Sequence, residues 1–300
     1  MPQHIIAMGG GGFSMDARID AALERPAPGD TRVTAAWNGT LALQRVGFVN
    51  AADGTPAARA EAISIDGSLD AAIALGANTL TNADASWRGD VNLGAAALAV
   101  SLLGVSEANL AGLRTTSDLR FSAEAAPQNA TLPLSIEASW NGDLALDAAD
   151  TGLAGPDDTR AAAALQSLRI NGNASITLAA AGEAWAAFGG TTDLTGIKAQ
   201  RIDPAAQTLA TTITTLGTEG DFYASRAANG TLTTRWGGTL NVGSLIADAP
   251  LGPDGSARLA LQADSFLADG DAAFDLAADR ALSTGFAGTT EGGGLAAVLE

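Results

Sequence analysis

AAWNGTLAL, at residues 35–43, is the stretch that decides the fold, because close copies of it recur along the chain. The copies are ASWRGDVNL at residues 85–93, ASWNGDLAL at 138–146, TRWGGTLNV at 234–242 and, with Phe in place of Trp, AFGGTTDL at 187–194. The aromatic anchors are therefore Trp37, Trp87, Trp140, Phe188 and Trp236, spaced by about 50 residues. A regular period of this size is typical of stacked or radial repeat proteins.

Each copy has the alternation of a half-buried strand. Trp37, Gly39 and Leu41 fall on one face, and the residues between them fall on the other. Glycine inside a strand often marks a close approach of another group. We therefore expect the glycine two residues after each aromatic anchor to leave room for a neighbouring ring.

The repeat unit is predicted to contain four short antiparallel strands joined by Gly, Asn and Asp turns. In the first unit, strands are expected at residues 33–43, 57–65 and 69–75, with a tight hairpin turn at Asp66-Gly67. The predicted fold is all-β, with five units forming an elongated curled sheet or solenoid. A β-propeller is the alternative, because its blades also have four strands.

The chain is predicted to have three parts. Residues 1–30 are expected to form a leading strand, a Gly-rich turn and a short helix at 16–24, where Ile19, Ala22 and Leu23 share a helical face. Residues 31–284 hold the five repeats, and residues 285–300 form a Gly-rich tail. The alanine-rich stretch 160–168 is predicted to be strand from its place in the repeat.

Composition excludes several classes of function. The net charge is −17, which argues against binding to nucleic acid or to an anionic membrane surface, because both need clustered Lys and Arg. The chain has no cysteine, so disulfides and thiolate chemistry are excluded. No cofactor-binding motif is evident.

The sequence contains no arrangement typical of a catalytic site. His4 is the single histidine, and no G-x-S-x-G elbow accompanies it. We therefore predict that the protein is not an enzyme. The densest acidic group includes Asp264, Asp269 and Asp271, whose oxygens are possible Ca²⁺ ligands, although Asp beside Gly is more typical of turns.

The first residues resemble the start of the peptidase E family. HIIAMGGGGFSM, at residues 4–15, has the strand and glycine run of that opening, and the resemblance covers residues 1–16. It implies a serine peptidase, but the nucleophile elbow and its histidine partner have no counterpart here. A peptidase is therefore the least favoured of the functions considered.

The repeats resemble those of AsmA-like and TamB-like envelope proteins of Gram-negative bacteria. The shared pattern is W-x-G-x-[LV]-x-[LV] followed by an Ala-rich strand and [IL]-x-[IL]-[DN]-G, and it covers about residues 31–282. The resemblance implies a curled sheet with an apolar groove, lipid transport, outer-membrane homeostasis and a place in the periplasm or cell envelope. Family members usually begin with a transmembrane anchor, whereas this sequence shows no signal peptide and no apolar run of about 20 residues.

Lipid is therefore the expected partner, with other envelope proteins as further partners through the open edges of the sheet. An alternative for the same side chains is that they pack against each other or against a second sheet. A rival function is a propeller or surface adhesin that binds protein or glycan. The candidate groove residues are Trp37, Leu41, Leu43, Ile63, Ile65, Trp87, Trp140, Phe188 and Trp236.

Overall fold

A computed structural model describes residues 6–50, 56–77, 79–98, 105–127, 130–154, 160–202, 208–251 and 257–299. The described residues contain strands and connecting turns but no helix. All the strands belong to one antiparallel sheet, which is elongated and not closed into a barrel. The predicted all-β class is therefore confirmed, and the sheet is continuous instead of divided into propeller blades.

The described ranges contribute seventeen strands to the sheet. In chain order they are β1 (Ile6–Gly9), β2 (Gly12–Glu24), β3 (Asp30–Asn50), β4 (Pro56–Gly76), β5 (Thr79–Leu93), β6 (Ala96–Leu98), β7 (Val105–Ala125), β8 (Leu134–Ala154), β9 (Arg160–Leu178), β10 (Ala184–Ile202), β11 (Thr208–Arg226), β12 (Leu232–Val242), β13 (Leu245–Leu251), β14 (Ala257–Ala263), β15 (Ser265–Leu276), β16 (Leu282–Gly293) and β17 (Ala296–Leu299).

In five places two consecutive strands, separated by a short interruption, occupy a single strand position of the sheet, which we call a strand line. These pairs are β1 with β2, β5 with β6, β12 with β13, β14 with β15, and β16 with β17. The sheet is therefore twelve strand lines wide. Each line pairs with the line before it and the line after it along the chain. The edges are β1 and β2 at one end and β16 and β17 at the other, with a neighbour on one side only among the described strands.

The strands are longer than the sequence indicated. The predicted turn at Asp66-Gly67 is wrong: these residues lie in the middle of β4 and pair with Thr40 and Gly39 of β3. The reason is that the alternation Ile63, Ile65, Gly67 continues through the dipeptide without a change of period. A period of about 50 residues therefore holds two long strands, and the predicted unit of four short strands is wrong.

The predicted helix at residues 16–24 is also wrong. These residues belong to β2, which pairs with β3 along its whole length. The apolar residues Phe13, Met15, Ile19 and Leu23 keep the two-residue period of a strand, and the neighbouring β3 offers partners for their backbone. The proline pair at 26 and 28 ends the strand instead of a helix.

Two of the remaining local predictions are confirmed, and the third is not. The strand predicted at 4–8 is found as β1, although His4 and Ile5 lie outside the described residues. The alanine-rich stretch 160–168 is strand, as part of β9. Much of the stretch predicted as a Gly-rich tail, 285–300, lies in β16 and β17 and is paired with β15 and β14.

The sheet is a single layer with very little core. Its accessible surface is 18685 Å², whereas a compact protein of 29.8 kDa exposes about 11,600 Å². Among the described residues only Val46, Gly112, Ser117, Ala123 and Ala268 are buried, and none of the large side chains is fully enclosed. The large apolar side chains therefore lie on a surface that no second layer of the described chain covers.

Candidate functional site

The strand register aligns the repeats into straight rows that cross the whole sheet. The central row consists almost entirely of glycine, with one residue from each strand line. In order across the sheet, this glycine row is Ala17, Gly39, Gly67, Gly89, Ser117, Gly142, Gly172, Gly190, Gly220, Gly238, Gly270 and Gly288.

Close approach of neighbouring backbone explains the glycine row. At Gly142 an added Cβ would lie 2.1 Å from the carbonyl oxygen of Thr116, and at Gly190 it would lie 2.1 Å from that of Asn171. Both residues also have φ values near +150° (157° and 148°), a region that residues with a side chain rarely adopt. At these glycines the sheet itself therefore excludes a side chain, whereas Ala17 and Ser117 are the two positions of the row that have one.

The aromatic anchors form a second row, two residues from the glycine row and on the same face. This aromatic row is Ile19, Trp37, Leu69, Trp87, Leu119, Trp140, Ala174, Phe188, Phe222, Trp236, Ala272 and Phe286. The five anchors therefore lie in one line across the sheet and alternate with residues of the intervening strands.

The rings of Trp37 and Trp87 stack on each other beside the glycine row, where no side chain stands between them. Their centroids are 5.7 Å apart and the rings are stacked at 18°, although one strand separates them and two strand spacings are about 9.6 Å. The rings therefore lean together above β4. An added Cβ at Gly67, on the strand between the two rings, would lie 2.9 Å from Cη2 of Trp87. The glycines that follow the anchors, for which this role was predicted, lie closest to backbone of the neighbouring strand instead, as at Gly39 and Gly142.

Three more rows complete the same face. The row on the far side of the aromatic anchors is Ala21, Ala35, Ala71, Ala85, Phe121, Ala138, Ile176, Ala186, Ala224, Thr234, Phe274 and Thr284. The two rows beyond the glycines are Met15, Leu41, Ile65, Val91, Thr115, Leu144, Ile170, Thr192, Thr218, Leu240, Ala268 and Thr290, and then Phe13, Leu43, Ile63, Leu93, Leu113, Leu146, Leu168, Leu194, Leu216, Val242, Phe266 and Gly292.

We call these five rows the apolar face, because directly paired residues of neighbouring strands point to the same side of a sheet. None of their residues is charged, and the few polar ones are Ser and Thr. With strands about 4.8 Å apart, the face is about 50 Å wide across the sheet. Its residues are largely half-buried by each other, but some remain widely open, including Ile176 at 52% exposure.

The nine residues predicted to line a groove all lie on the apolar face and are half-buried: Trp37, Leu41, Leu43, Ile63, Ile65, Trp87, Trp140, Phe188 and Trp236. The sequence analysis missed their neighbours on the intervening strands, such as Leu119, Phe222 and Phe286. These strands lack the Trp-x-Gly motif, and only the register shows that their side chains continue the aromatic row.

The opposite side, the polar face, carries charged residues throughout its width. The row next to the glycines on this face is Asp16, Thr40, Asp66, Asp90, Thr116, Asp143, Asn171, Thr191, Glu219, Thr239, Asp269 and Thr289. It contains six carboxylates and no cation. Thr116 donates a hydrogen bond to the Asp90 carboxylate, and Asn171 donates one to the Asp143 carboxylate.

Asp66 and Asp90 are directly paired on the polar face, which places two like charges side by side. We expect the substitution Asp66→Thr to stabilise the fold by about 0.5 kcal/mol, because it removes this repulsion and leaves the hydrogen bond from Thr116 to Asp90 intact. The measurement is urea unfolding at low and high salt. The gain should shrink at high salt, since salt screens the repulsion, and a loss of stability at low salt would contradict the assignment.

Two bidentate ion pairs link neighbouring strands on the polar face. Arg88 contacts Asp118 at 2.9–3.1 Å, and Arg235 contacts Asp275 at 2.8 and 3.0 Å. The hydrogen bond from each guanidinium lowers the pKa of its partner carboxyl below the ordinary Asp value. A lowered pKa means that each pair stabilises the fold above the ordinary Asp pKa and stops doing so as the pH falls through the lowered one.

The structure does not bring the predicted calcium ligands together as a metal site. Asp269 and Asp271 lie on the polar face with Gly270 between them, and the Asp264 carboxylate lies beside Gly294. Across the described ranges, no group of three or more His, Cys, Asp or Glu side chains is placed to hold a metal ion. His4 lies outside those ranges, so its surroundings are not described.

An open groove of about 800 Å³ crosses strands β2 to β9. Its lining includes Asp70, Asp84, Ser86, Arg120 and Glu137 of the polar side, together with Phe121 and five alanines from one row of the apolar face. It includes no residue of the aromatic row and none of the nine predicted groove residues. The groove is therefore lined mainly by polar-side residues, and it is not the predicted lipid groove.

Comparison with known proteins identifies no relative. No protein-family model matches the chain, and neither the curated proteins nor the solved structures contain a significant match. The part of the chain that the structure describes also has no helix long and apolar enough to cross a membrane.

Proposed function

We propose that the protein is a non-enzymatic lipid-binding protein whose apolar face takes up the acyl chains of lipids. The observation that carries this proposal is the apolar face itself: five rows across twelve strand lines without a charge, and without a second layer among the described residues. Apolar surface of this extent on a protein is typical of an interaction site.

The physical gain comes from covering side chains that are now partly exposed to water. Phe121, Ile176 and Phe222 are 41–52% exposed in the middle of the face. An acyl chain laid against them removes apolar surface from water on both partners, worth about 0.8 kcal/mol for each buried CH₂ group. A chain of ordinary lipid length therefore supplies enough favourable free energy to offset the entropy of binding.

The negative charge of the protein is expected to determine which lipid headgroups it accepts. Its net charge is −17, and its polar face has a row of carboxylates without a cation. Anionic headgroups are therefore repelled, whereas zwitterionic and neutral headgroups are tolerated. We further infer a role in lipid transport and outer-membrane homeostasis in the periplasm or cell envelope, supported by the resemblance of residues 31–282 to AsmA-like and TamB-like repeats.

The five tryptophans allow a direct test, because they lie on both faces. Trp140 is in the middle of the aromatic row, whereas Trp185 lies on the polar face between Thr177 and Ser225. Two variants with all other tryptophans replaced by Phe keep one reporter each. Titration with a bromine-labelled lysophosphatidylcholine below its micelle concentration is expected to quench Trp140 strongly and to leave Trp185 nearly unchanged.

Three results would contradict the proposal: no quenching of either reporter, equal quenching of both, or stronger quenching of Trp185. The oligomeric state of the wild-type protein should be measured alongside by sedimentation without lipid. A face-to-face dimer that shields Trp140 and persists on lipid addition would show that a second copy covers the apolar face, and would also overturn lipid binding there.

A further inference from the structure

The two edges of the sheet complement each other. We propose that copies of the chain join edge to edge, with β16 and β17 of one copy beside β2 and β1 of the next, and so extend the sheet. The sheet has an even number of strand lines, so its first and last lines run in opposite directions. A second copy placed by translation alone therefore adds in the antiparallel sense of every other pair in the sheet.

A single strand register aligns the glycine row and the short strands of the two copies across this junction. Setting Gly288 opposite Ala17 continues the glycine row from one copy to the next. The same register places Ala296–Leu299 opposite Ile6–Gly9, so that β17 meets β1. It also sets the interruption at residues 294–295 opposite the interruption at residues 10–11. Two independent features of the edges, the glycine row and the position of the interrupted short strand, therefore agree on a single alignment.

The apolar rows continue across the junction. Phe286 meets Ile19, Thr290 meets Met15, and Leu282 meets Leu23 in this register. The apolar side chains among them include several of the most exposed ones of the sheet, with Leu23 at 63%, Ile19 at 61% and Leu282 at 60%. Joining the edges therefore covers the part of the apolar side that each copy leaves most open to water.

The polar face fits equally well, because no like charges meet. Asp16 lies opposite Thr289, Arg18 opposite Ala287, Asp20 opposite Gly285, and Glu291 opposite Ser14 in the junction register. Within one copy, by contrast, Asp66 and Asp90 do face each other. The junction of a chain with net charge −17 therefore avoids the directly opposed like charges that its interior tolerates.

The long edge strands lack several of the features that usually prevent such pairing. Soluble proteins block exposed edges with proline, charged residues (above all lysine), bulges or very short strands. The edges do have charged residues on β2, and β1 and β17 are only four residues long. The edge strands β2 and β16 contain neither proline nor lysine, are thirteen and twelve residues long, and pair with their neighbours without a register shift. The backbone N–H and C=O groups of an edge strand need hydrogen-bond partners. Another β-strand supplies these partners, whereas a lipid bound to the apolar face does not. The contact joins two different surfaces, so it generates an open-ended ribbon.

Cysteine cross-linking tests the register, and the chain has no cysteine of its own. The variant with Arg18→Cys and Ala287→Cys places the two thiols opposite each other in neighbouring copies, at the Cα separation that suits a disulfide. The two edges of one copy are about 50 Å apart, so a bond within the chain is excluded. Mild oxidation is expected to give a ladder of covalent dimers, trimers and higher species.

The matched control combines Arg18→Cys with Glu291→Cys, four residues or about 13 Å out of register. It is expected to lose the ladder. Equal ladders in both variants, or no species above monomer in the first, would overturn the proposal.

A mixing experiment tests the head-to-tail arrangement. Lysines at positions 15 and 19 (Met15→Lys, Ile19→Lys) block the β2 edge, and lysines at 284 and 290 (Thr284→Lys, Thr290→Lys) block the β16 edge. Each variant alone should sediment as a monomer, and their mixture should stop at a one-to-one dimer. Association of either variant with itself, or a wild-type protein that stays monomeric at all concentrations, would contradict the proposal. Acyl-chain quenching of Trp140 in the monomeric variants remains a separate test of lipid binding.

Discussion

Replacing Gly142 by alanine is expected to destabilise the fold by about 3 kcal/mol or more. The added Cβ would lie 2.1 Å from the carbonyl oxygen of Thr116, and the residue has φ = 157°, which disfavours any side chain. Relief would require β7 and β8 to move apart, and that would break their backbone hydrogen bonds. The measurement is equilibrium unfolding in urea, with the midpoint converted to the free energy of unfolding.

The control for this substitution is Gly47→Ala. Gly47 also lies in an interior strand, but an added Cβ there would meet nothing within 4 Å, and its φ is not in the left-handed region. We expect this change to be neutral or slightly stabilising, by about 0.5 kcal/mol, because alanine restricts the unfolded chain. Similar effects of the two substitutions would show that the glycine row is not a packing requirement.

Replacing Leu146 by aspartate is expected to destabilise the fold by about 3 kcal/mol and to remove lipid binding near it. Leu146 is half-buried on the apolar face between Leu113 and Leu168. The change removes that packing and places a charge on a surface that has none. Unfolding in urea and quenching of Trp140 by the brominated lipid measure the two effects separately.

The neighbouring substitution Ala145→Asp is the matched control, since it adds the same charge to the same strand. Ala145 points to the polar face and is paired with Arg114 and Arg169. A carboxylate between two guanidinium groups is expected to be neutral or to stabilise the fold by about 0.5 kcal/mol. If Ala145→Asp were the more damaging of the two, the assignment of the faces would be reversed.

The sequence predicted the fold class because the period-two alternation around Trp37, Trp87 and Trp140 is strong and recurs. It predicted nine residues that the structure places on one face for the same reason, since the two-residue period fixes which side a residue takes. It did not predict the length of the strands. Asp66-Gly67 has the composition of a turn, but its glycine is required by close backbone approach within the sheet.

The pairing of strands accounts for the rest of what the sequence did not predict. Which residues stand opposite one another depends on register, and a register is a property of two strands and not of either one alone. The continuation of the aromatic row through Leu119 and Phe222, and the row of carboxylates on the polar face, appear only when the strands are paired. The helix predicted at residues 16–24 failed because its residues fit both periods and the neighbouring β3 decided between them.

Small-angle scattering from the monomeric protein tests the central claim, that the chain is a single-layer sheet with one uncharged apolar face. A compact chain of 300 residues has a radius of gyration of about 19 Å. The single layer predicts a clearly larger radius and a cross-section about 10 Å thick, the thickness of one sheet with its side chains. A radius near the compact value, with a cross-section twice as thick, would show that the apolar face is folded against another layer and would contradict the account.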